Sequence, residues 1–93
     1  MPAPDVNTTP EIMAWMADEY QKLTGDTRNA TFTGKPISAG GSEGRGEATG
    51  MGGFFVFEAI RGSLGIGESA RVVVQGMGNV GSNAARIFAA HGY

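Results

Sequence analysis

Three consecutive valines, Val72–Val74, run through Gln75 directly into Gly76-Met77-Gly78-Asn79-Val80-Gly81, and Ser82 to Ala90 then has helical composition. β-branched residues without polar alternation predict a buried strand of a parallel sheet. A strand that breaks into Gly-x-Gly-x-x-Gly and resumes as a helix has the order that a dinucleotide-binding turn requires. In such a turn Gly76 permits the tight exit from the strand, Gly78 lets backbone approach a pyrophosphate, and Gly81 lets the helix pack closely on the strand. The anion would meet unpaired N–H groups at the positive end of the helix dipole. The plain alternative is an ordinary strand-to-helix turn that binds nothing.

Glycine is also dense ahead of this turn. The chain has 16 glycines in 93 residues, most of them between Gly34 and Gly67, against a usual share of about 7 per cent. Lys35, Arg45, Glu47, Phe54, Phe55 and Phe57 are threaded through the segment, so it is neither a linker nor a collagen-like repeat. It reads as backbone that must come close to something. The length suits one domain or part of one. A net charge of -2 gives no reason to expect nucleic acid or an anionic membrane surface. With no cysteine and one histidine, disulfides, thiolate sites and a zinc cluster are excluded, and a reducing compartment is permitted. No apolar run approaches the roughly 18 residues of a membrane span, and the first residues do not resemble a signal peptide. The chain reads as soluble and cytoplasmic, with no metal.

Local signals divide the chain into elements. Pro2 and Pro4 impose an extended start and place Asp5 on stiff backbone. A helix follows, with Thr8 and Glu11 at capping-box spacing or Thr9 as N-cap ahead of Pro10, and Gly25 ends it. Its apolar stripe of Ile12, Met13, Trp15, Met16, Tyr20 and Leu23 predicts a core face, with Met13, Trp15 and Met16 as core. Asp26 to Thr33 is loop, with a short extended piece at Ala30 to Thr33. A second helix is predicted from about Glu47 to Ser63, where Phe54, Phe57, Ile60 and Leu64 recur at helical spacing. Gly50, Gly52 and Gly53 in its first turns cost about 1 kcal/mol each relative to Ala, so close packing against backbone or ligand is expected there. Gly65 to Ser69 turns into the strand Ala70 to Gln75. The last helix starts at about Asn79, with Val80, Ala84, Ile87 and Phe88 on one face, and stops at Gly92.

Few residues could do proton or charge work. Asp5, held on a Pro-x-Pro-Asp start, could be a general acid or base, or an exposed carboxylate. Arg45, between Gly44 and Gly46, could clamp a carboxylate bidentately, or be a surface arginine. Thr49 could offer a hydroxyl to a ligand amide, or satisfy its own helix backbone. His91, in the last turn of a helix, is assigned no catalysis.

Six stretches in collinear order carry a resemblance: Pro2-Ala3-Pro4-Asp5-Val6-Asn7-Thr8, Met13-Ala14-Trp15-Met16, Thr33-Gly34-Lys35-Pro36, Gly40-Gly41-Ser42-x-Gly44-Arg45, Ala48-Thr49-Gly50-x-Gly52 and Gln75-Gly76-x-Gly78-Asn79-Val80-Gly81. Together they resemble the middle of a glutamate dehydrogenase, of the glutamate, leucine, phenylalanine and valine dehydrogenase family, over Pro2 to Tyr93. The resemblance implies oxidative deamination of L-glutamate to 2-oxoglutarate and ammonia, with hydride passing to NAD or NADP. It implies that Asp5 moves a proton to and from the amino nitrogen, and that Arg45 and Ser42 lie on the substrate side of the cleft. Thr49 would contact the nicotinamide amide, and Gly76, Gly78, Asn79, Val80 and Gly81 would form the pyrophosphate turn.

The fold class implied is α/β. Residues 1–46 would end a substrate-binding domain, 47–69 would cross over, and 70–93 would start a Rossmann-type dinucleotide-binding domain. A homo-oligomer, a hexamer by resemblance, is the expected assembly of the full enzyme. The family's glycine-flanked catalytic lysine and its substrate-carboxylate lysine lie upstream of the matched region and have no counterpart here; Lys35 belongs to a different stretch. Met77 stands where an aromatic residue is common and Met51 where a basic one is usual. The chain is therefore expected to be an internal fragment that does not turn over alone. The rival readings are a non-catalytic dinucleotide- or anion-binding module, and a non-binding remnant that folds only with a partner.

Overall fold

The first helix, α1 (Pro10–Thr24), begins where Thr9 leaves extended backbone and its Oγ1 accepts the Ile12 N–H at 3.3 Å. Pro10 fills a first-turn position that has no use for an N–H. Of the two starts that the sequence allows, this is the one that forms, because the Thr8 hydroxyl is engaged with the Asp5 backbone. Gly25, at φ 70°, closes the helix by donating to Gln21 O at 2.8 Å. The computed structural model describes all residues, 1–93, and adds a 3-10 turn (Ile37–Ala39), α2 (Ala48–Ile60) and α3 (Asn79–Ala90). The chain divides into two compact units, Met1–Arg45 and Gly46–Tyr93.

In the first unit, Met13 and Ala17 are buried, and Tyr20 meets Phe32 edge-on at 5.9 Å between ring centres. The buried line i, i+4, i+7 is rotated from the centre of the apolar stripe. Trp15 and Met16, expected in the core, are 69% and 40% exposed. The loops of this unit cover only the Met13 side of α1. Burial falls instead on Lys35, 7% exposed, whose Nζ donates to the carbonyls of Asn29, at 3.2 Å, and Phe32. A buried ammonium is tolerable only when its donors are satisfied, and here two carbonyl dipoles do it without a carboxylate. The same loop reaches the chain start: Thr33 N–H donates to Pro2 O at 3.0 Å, and a Cβ on Gly34 would collide with the Pro4 ring.

The second unit is a helix pair. α2 and α3 pack through Gly50, where an added Cβ would stand 3.0 Å from Ala84 N and 3.2 Å from Asn83 Cβ. Such an approach needs a residue without a side chain. Gly52 and Gly53 have no neighbour that close, and nothing in the structure accounts for them. The interior is aromatic. Phe54 is buried and meets Phe88 at 5.1 Å and 89°, while Phe57 meets Tyr93 at 5.2 Å and 82°. Burying one such side chain contributes roughly 1.5–3 kcal/mol, with the edge-to-face pairing adding to it. The Tyr93 hydroxyl donates to Glu58, which also pairs with Arg61 Nε at 3.2 Å. The Tyr93 hydroxyl first, then Arg61, hold the Glu58 carboxyl below its ordinary range; Glu58 in turn pushes the Tyr93 hydroxyl up.

Further sequence expectations need correction. α2 stops at Ile60 rather than Ser63, followed by turns through Gly65, and Ile60 and Leu64 of its predicted stripe are 45% and 62% exposed. The strand at Ala70 to Gln75 does not form, nor does the extended piece at Ala30 to Thr33; the 93 residues are helix and loop, so the α/β class and the β-α unit are not realised within them. The cause is pairing. A strand is stabilised by ladder bonds to a neighbour, and no other stretch of these residues offers an edge. Val73 is 93% and Val72 38% exposed.

Candidate functional site

In the first unit, Asp5 sits at the head of a tight turn. Its N–H donates to Thr8 Oγ1 at 2.6 Å, Thr8 N–H returns a bond to Asp5 O at 3.0 Å, and Asn7 takes a left-handed φ of 61°. Asn is among the few residues that tolerate that region. Oδ1 of Asp5 accepts the Val6 N–H at 2.8 Å, which leaves the other carboxylate oxygen without a protein donor on an exposed side chain. The residue before it, Pro4, is wedged against Gly34. The backbone that carries the carboxylate is therefore fixed on both sides, while the side chain itself is exposed.

Ser42 and Arg45 lie in the exposed loop after Gly41. Gly41 donates to Pro36 O at 2.9 Å, and a Cβ there would collide with Lys35 O, so the loop leaves from a tightly closed bend. Gly44, at φ 74°, turns the chain again ahead of Arg45. Neither Ser42 nor Arg45 has a hydrogen-bonding or ionic partner, and no bond joins either to Asp5. The structure holds Asp5 by a defined turn and leaves the guanidinium free on its loop.

In the second unit, Thr49 is exposed in the first turn of α2, one residue before the Gly50 contact with α3. The glycine turn leads into α3. Gly76 has φ 88°, and a Cβ on Gly81 would collide with the Gly76 carbonyl oxygen, so the turn folds back on itself as the spacing predicts. Gly78 is the N-cap of α3, in extended backbone, with no side-chain cap and no acidic residue in the first turn. The first N–H groups of a helix have no acceptor inside it. Ser82 Oγ bonds only to the carbonyls of Gly78, at 2.7 Å, and Asn79. Donors and dipole at this end are thus open to an anion, and the compact backbone that a β-carbon would fill suits a pyrophosphate.

The sequence does not single out Asn83. Its Nδ2 donates to Gly46 O at 3.2 Å and to Asn79 O at 2.9 Å, and its Oδ1 accepts from Arg86 at 3.1 Å. Arg86 also pairs with Glu47 at 3.3 Å. The i, i+4 spacing from Asn79 was its one visible sign. No group of His, Asp and Glu gathers to hold a metal ion, and no helix is long and apolar enough to cross a membrane.

Residues 40–93 match the model of the Glutamate/Leucine/Phenylalanine/Valine dehydrogenase family. The chain is 54% identical over 84 residues to the NAD-specific glutamate dehydrogenase of Peptoniphilus asaccharolyticus, covering 88% of this chain and 20% of that protein. It is 48% identical over 87 residues to the NADP-specific glutamate dehydrogenase of Saccharolobus shibatae, covering 92% of this chain and 21% of that one. The hetero-hexameric glutamate dehydrogenase of Thermus thermophilus, in a leucine-bound crystal structure, superposes with a TM-score of 0.90 at 42% identity, covering 97% of this chain and 22% of that chain. The chain spans about a fifth of the length of these relatives.

Proposed function

The chain belongs to the glutamate, leucine, phenylalanine and valine dehydrogenase family, and from that premise we propose that it is a segment of an NAD- or NADP-dependent glutamate dehydrogenase. The observation that carries the reading is the start of α3, where the Gly76–Gly81 turn folds closely and no side chain caps the helix. Relatives named for NAD and for NADP support either cofactor. Residues 1–46 end the substrate-binding domain, 47–69 form the crossover, and 70–93 begin the Rossmann-type domain. The exposed valines support this division, since Val72–Val74 would gain ladder partners from the rest of a parallel sheet.

When bound, the nicotinamide would accept hydride from Cα of L-glutamate. Asp5 takes up and returns a proton at the amino nitrogen, a task suited to a carboxylate whose backbone is fixed and whose second oxygen is free. Arg45 holds a substrate carboxylate with its two-pronged guanidinium, and Ser42 adds a hydroxyl on the same loop. The N–H groups of Gly78, Asn79, Val80 and Gly81 would hold the pyrophosphate, and the Thr49 hydroxyl would meet the carboxamide of the nicotinamide. Water then adds to the oxidised carbon, its oxygen becomes the keto oxygen as the nitrogen leaves, and the products are 2-oxoglutarate and ammonia. The full enzyme assembles as a homo-oligomer, and the lysines of its active site come from outside these 93 residues, which do not turn over alone.

The test is a chimera in which residues 1–93 replace the matching fifth of the Peptoniphilus asaccharolyticus enzyme. It should reduce NAD or NADP when given glutamate, and Asp5→Asn should lower kcat by about 100-fold or more, within the range of general acid–base contributions, while KM for the cofactor holds. A well-folded chimera without glutamate-dependent turnover would sink the proposal. An Asp5→Asn chimera with its full rate would remove Asp5 from the proton transfer.

A further inference from the structure

We infer that Asn83 is a positioning residue that sets the distance between the two points at which this unit meets a dinucleotide, with Gly50 as the close contact that it spans. The inference rests on the cofactor roles proposed above for Thr49 and the glycine turn, and extends them to residues with no cofactor contact of their own. One side-chain nitrogen, Nδ2 of Asn83, donates both its hydrogens: one to Gly46 O at 3.2 Å, just ahead of α2, and one to Asn79 O at 2.9 Å, the first residue of α3. The first acceptor lies three residues before Thr49; the second belongs to the phosphate turn. Arg86 fixes the orientation of the amide by donating to Oδ1 at 3.1 Å, and is itself anchored on Glu47 at 3.3 Å.

The hydrogen bonds draw the helix starts together, and Gly50, without a side chain, lets them come this near. A Cβ at Gly50 would stand 3.0 Å from Ala84 N, 3.2 Å from Asn83 Cβ and 3.3 Å from Asn83 C, a spacing at which the neighbouring helix must give. Asn79 O does not depend on Asn83 Nδ2 for satisfaction, because an α-helix already directs the Asn83 backbone N–H to it. The phosphate turn should therefore survive loss of the amide, while the register of Thr49 against the turn should not. Nicotinamide and pyrophosphate are joined through one ribose and so have a bounded reach between them, and a shifted register weakens one end more than the other. Small displacements of groups that orient a reacting centre carry large kinetic effects.

The experiment uses the same chimera and two probes: NADH in the reductive direction, and ADP-ribose, which keeps the pyrophosphate and lacks the nicotinamide, as a competitive inhibitor. Asn83→Leu should raise KM for NADH about fivefold, the worth of one net hydrogen bond, and leave Ki for ADP-ribose within about twofold. Gly50→Ala, which should push α2 a few tenths of an ångström off α3, should produce the same split in a smaller degree. It decides the matter if Asn83→Leu fails to fold. Equal weakening of NADH and ADP-ribose, or no change in either, overturns the inference while the proposed function stands. An inactive parent chimera overturns both.

Discussion

α1 and α3 begin in opposite ways. At the start of α1, Thr9 caps the Ile12 N–H, Pro10 removes a donor and Glu11 places a carboxylate in the first turn. At the start of α3, Gly78 has no side chain to offer, no acidic residue follows, and Asn79, Val80 and Gly81 bring none of the usual caps to bear. A glycine cap costs a helix only a few tenths of a kcal/mol against a side-chain cap. The first arrangement spends its own side chains on stability; the second leaves donors and dipole for something that comes from outside. Each suits the part proposed for its unit. The proton transfer proposed for Asp5 calls for a rigid mount just ahead of a closed helix, and the pyrophosphate binding proposed for the Gly76–Gly81 turn calls for an open one.

The largest effect should come from closing the space in the turn itself. Gly81→Val directs a side chain into the Gly76 carbonyl, which is backbone and cannot move cheaply. A strain of ~3 kcal/mol would lower the NADH affinity of the chimera about 100-fold. Affinity within threefold of the parent would show that the turn is not what holds the cofactor.

Next in size, Gly78→Asp would give α3 the kind of start that α1 has. Gly78 lies in extended backbone with nothing within 4 Å of a Cβ, so the side chain fits. α3 should gain roughly 0.5–1 kcal/mol in local stability by amide exchange, and NADH affinity should fall roughly 10–100-fold as the carboxylate takes the donors and repels the pyrophosphate. A gain in stability with unchanged affinity would break the contrast between the two helices.

The reciprocal change is smaller. Thr9→Ala should cost α1 about 1 kcal/mol, read as about fivefold faster amide exchange in its first turn, and leave NADH affinity untouched.

The smallest effect is a response to acid. The Glu11 carboxyl is held below its ordinary value by its own backbone N–H and then by the Thr9 hydroxyl. A depressed carboxyl stabilises the folded form above its ordinary value of 4.5 and loses that contribution as the pH falls through its lowered one. Exchange at the start of α1 should therefore rise below about pH 4.5, by no more than ~2-fold for so exposed a group, and exchange at the start of α3 should show no such step. A matching step in α3 would mean that the two starts do not differ electrostatically in the way described.

The helices were legible because their ends are written locally. Thr9, Pro10 and Gly25 bound α1, the glycine turn opens α3, and Gly92 follows its last turn, each acting on backbone within a few residues. The strand at Ala70 to Gln75 was not, since valines state a preference that only a partner strand can realise. Trp15 and Met16 mislead for a related reason: periodicity shows that a face is apolar without showing how much chain is available to cover it. The glycine contacts at Gly50 and Gly81 follow from the expectation of close backbone approach, whereas Gly52 and Gly53 do not. Lys35 left no trace, because its two acceptors are main-chain carbonyls that any sequence possesses. Asn83 was hidden in the same manner by Gly46 O and Asn79 O.

A crystal structure of the chimera with NADH addresses the central claim most directly. The account predicts pyrophosphate oxygens within about 3.2 Å of backbone N–H groups at Gly78 to Gly81, with the nicotinamide carboxamide at the Thr49 hydroxyl. NADH bound with its pyrophosphate away from that turn, and α3 starting on water alone, would contradict it.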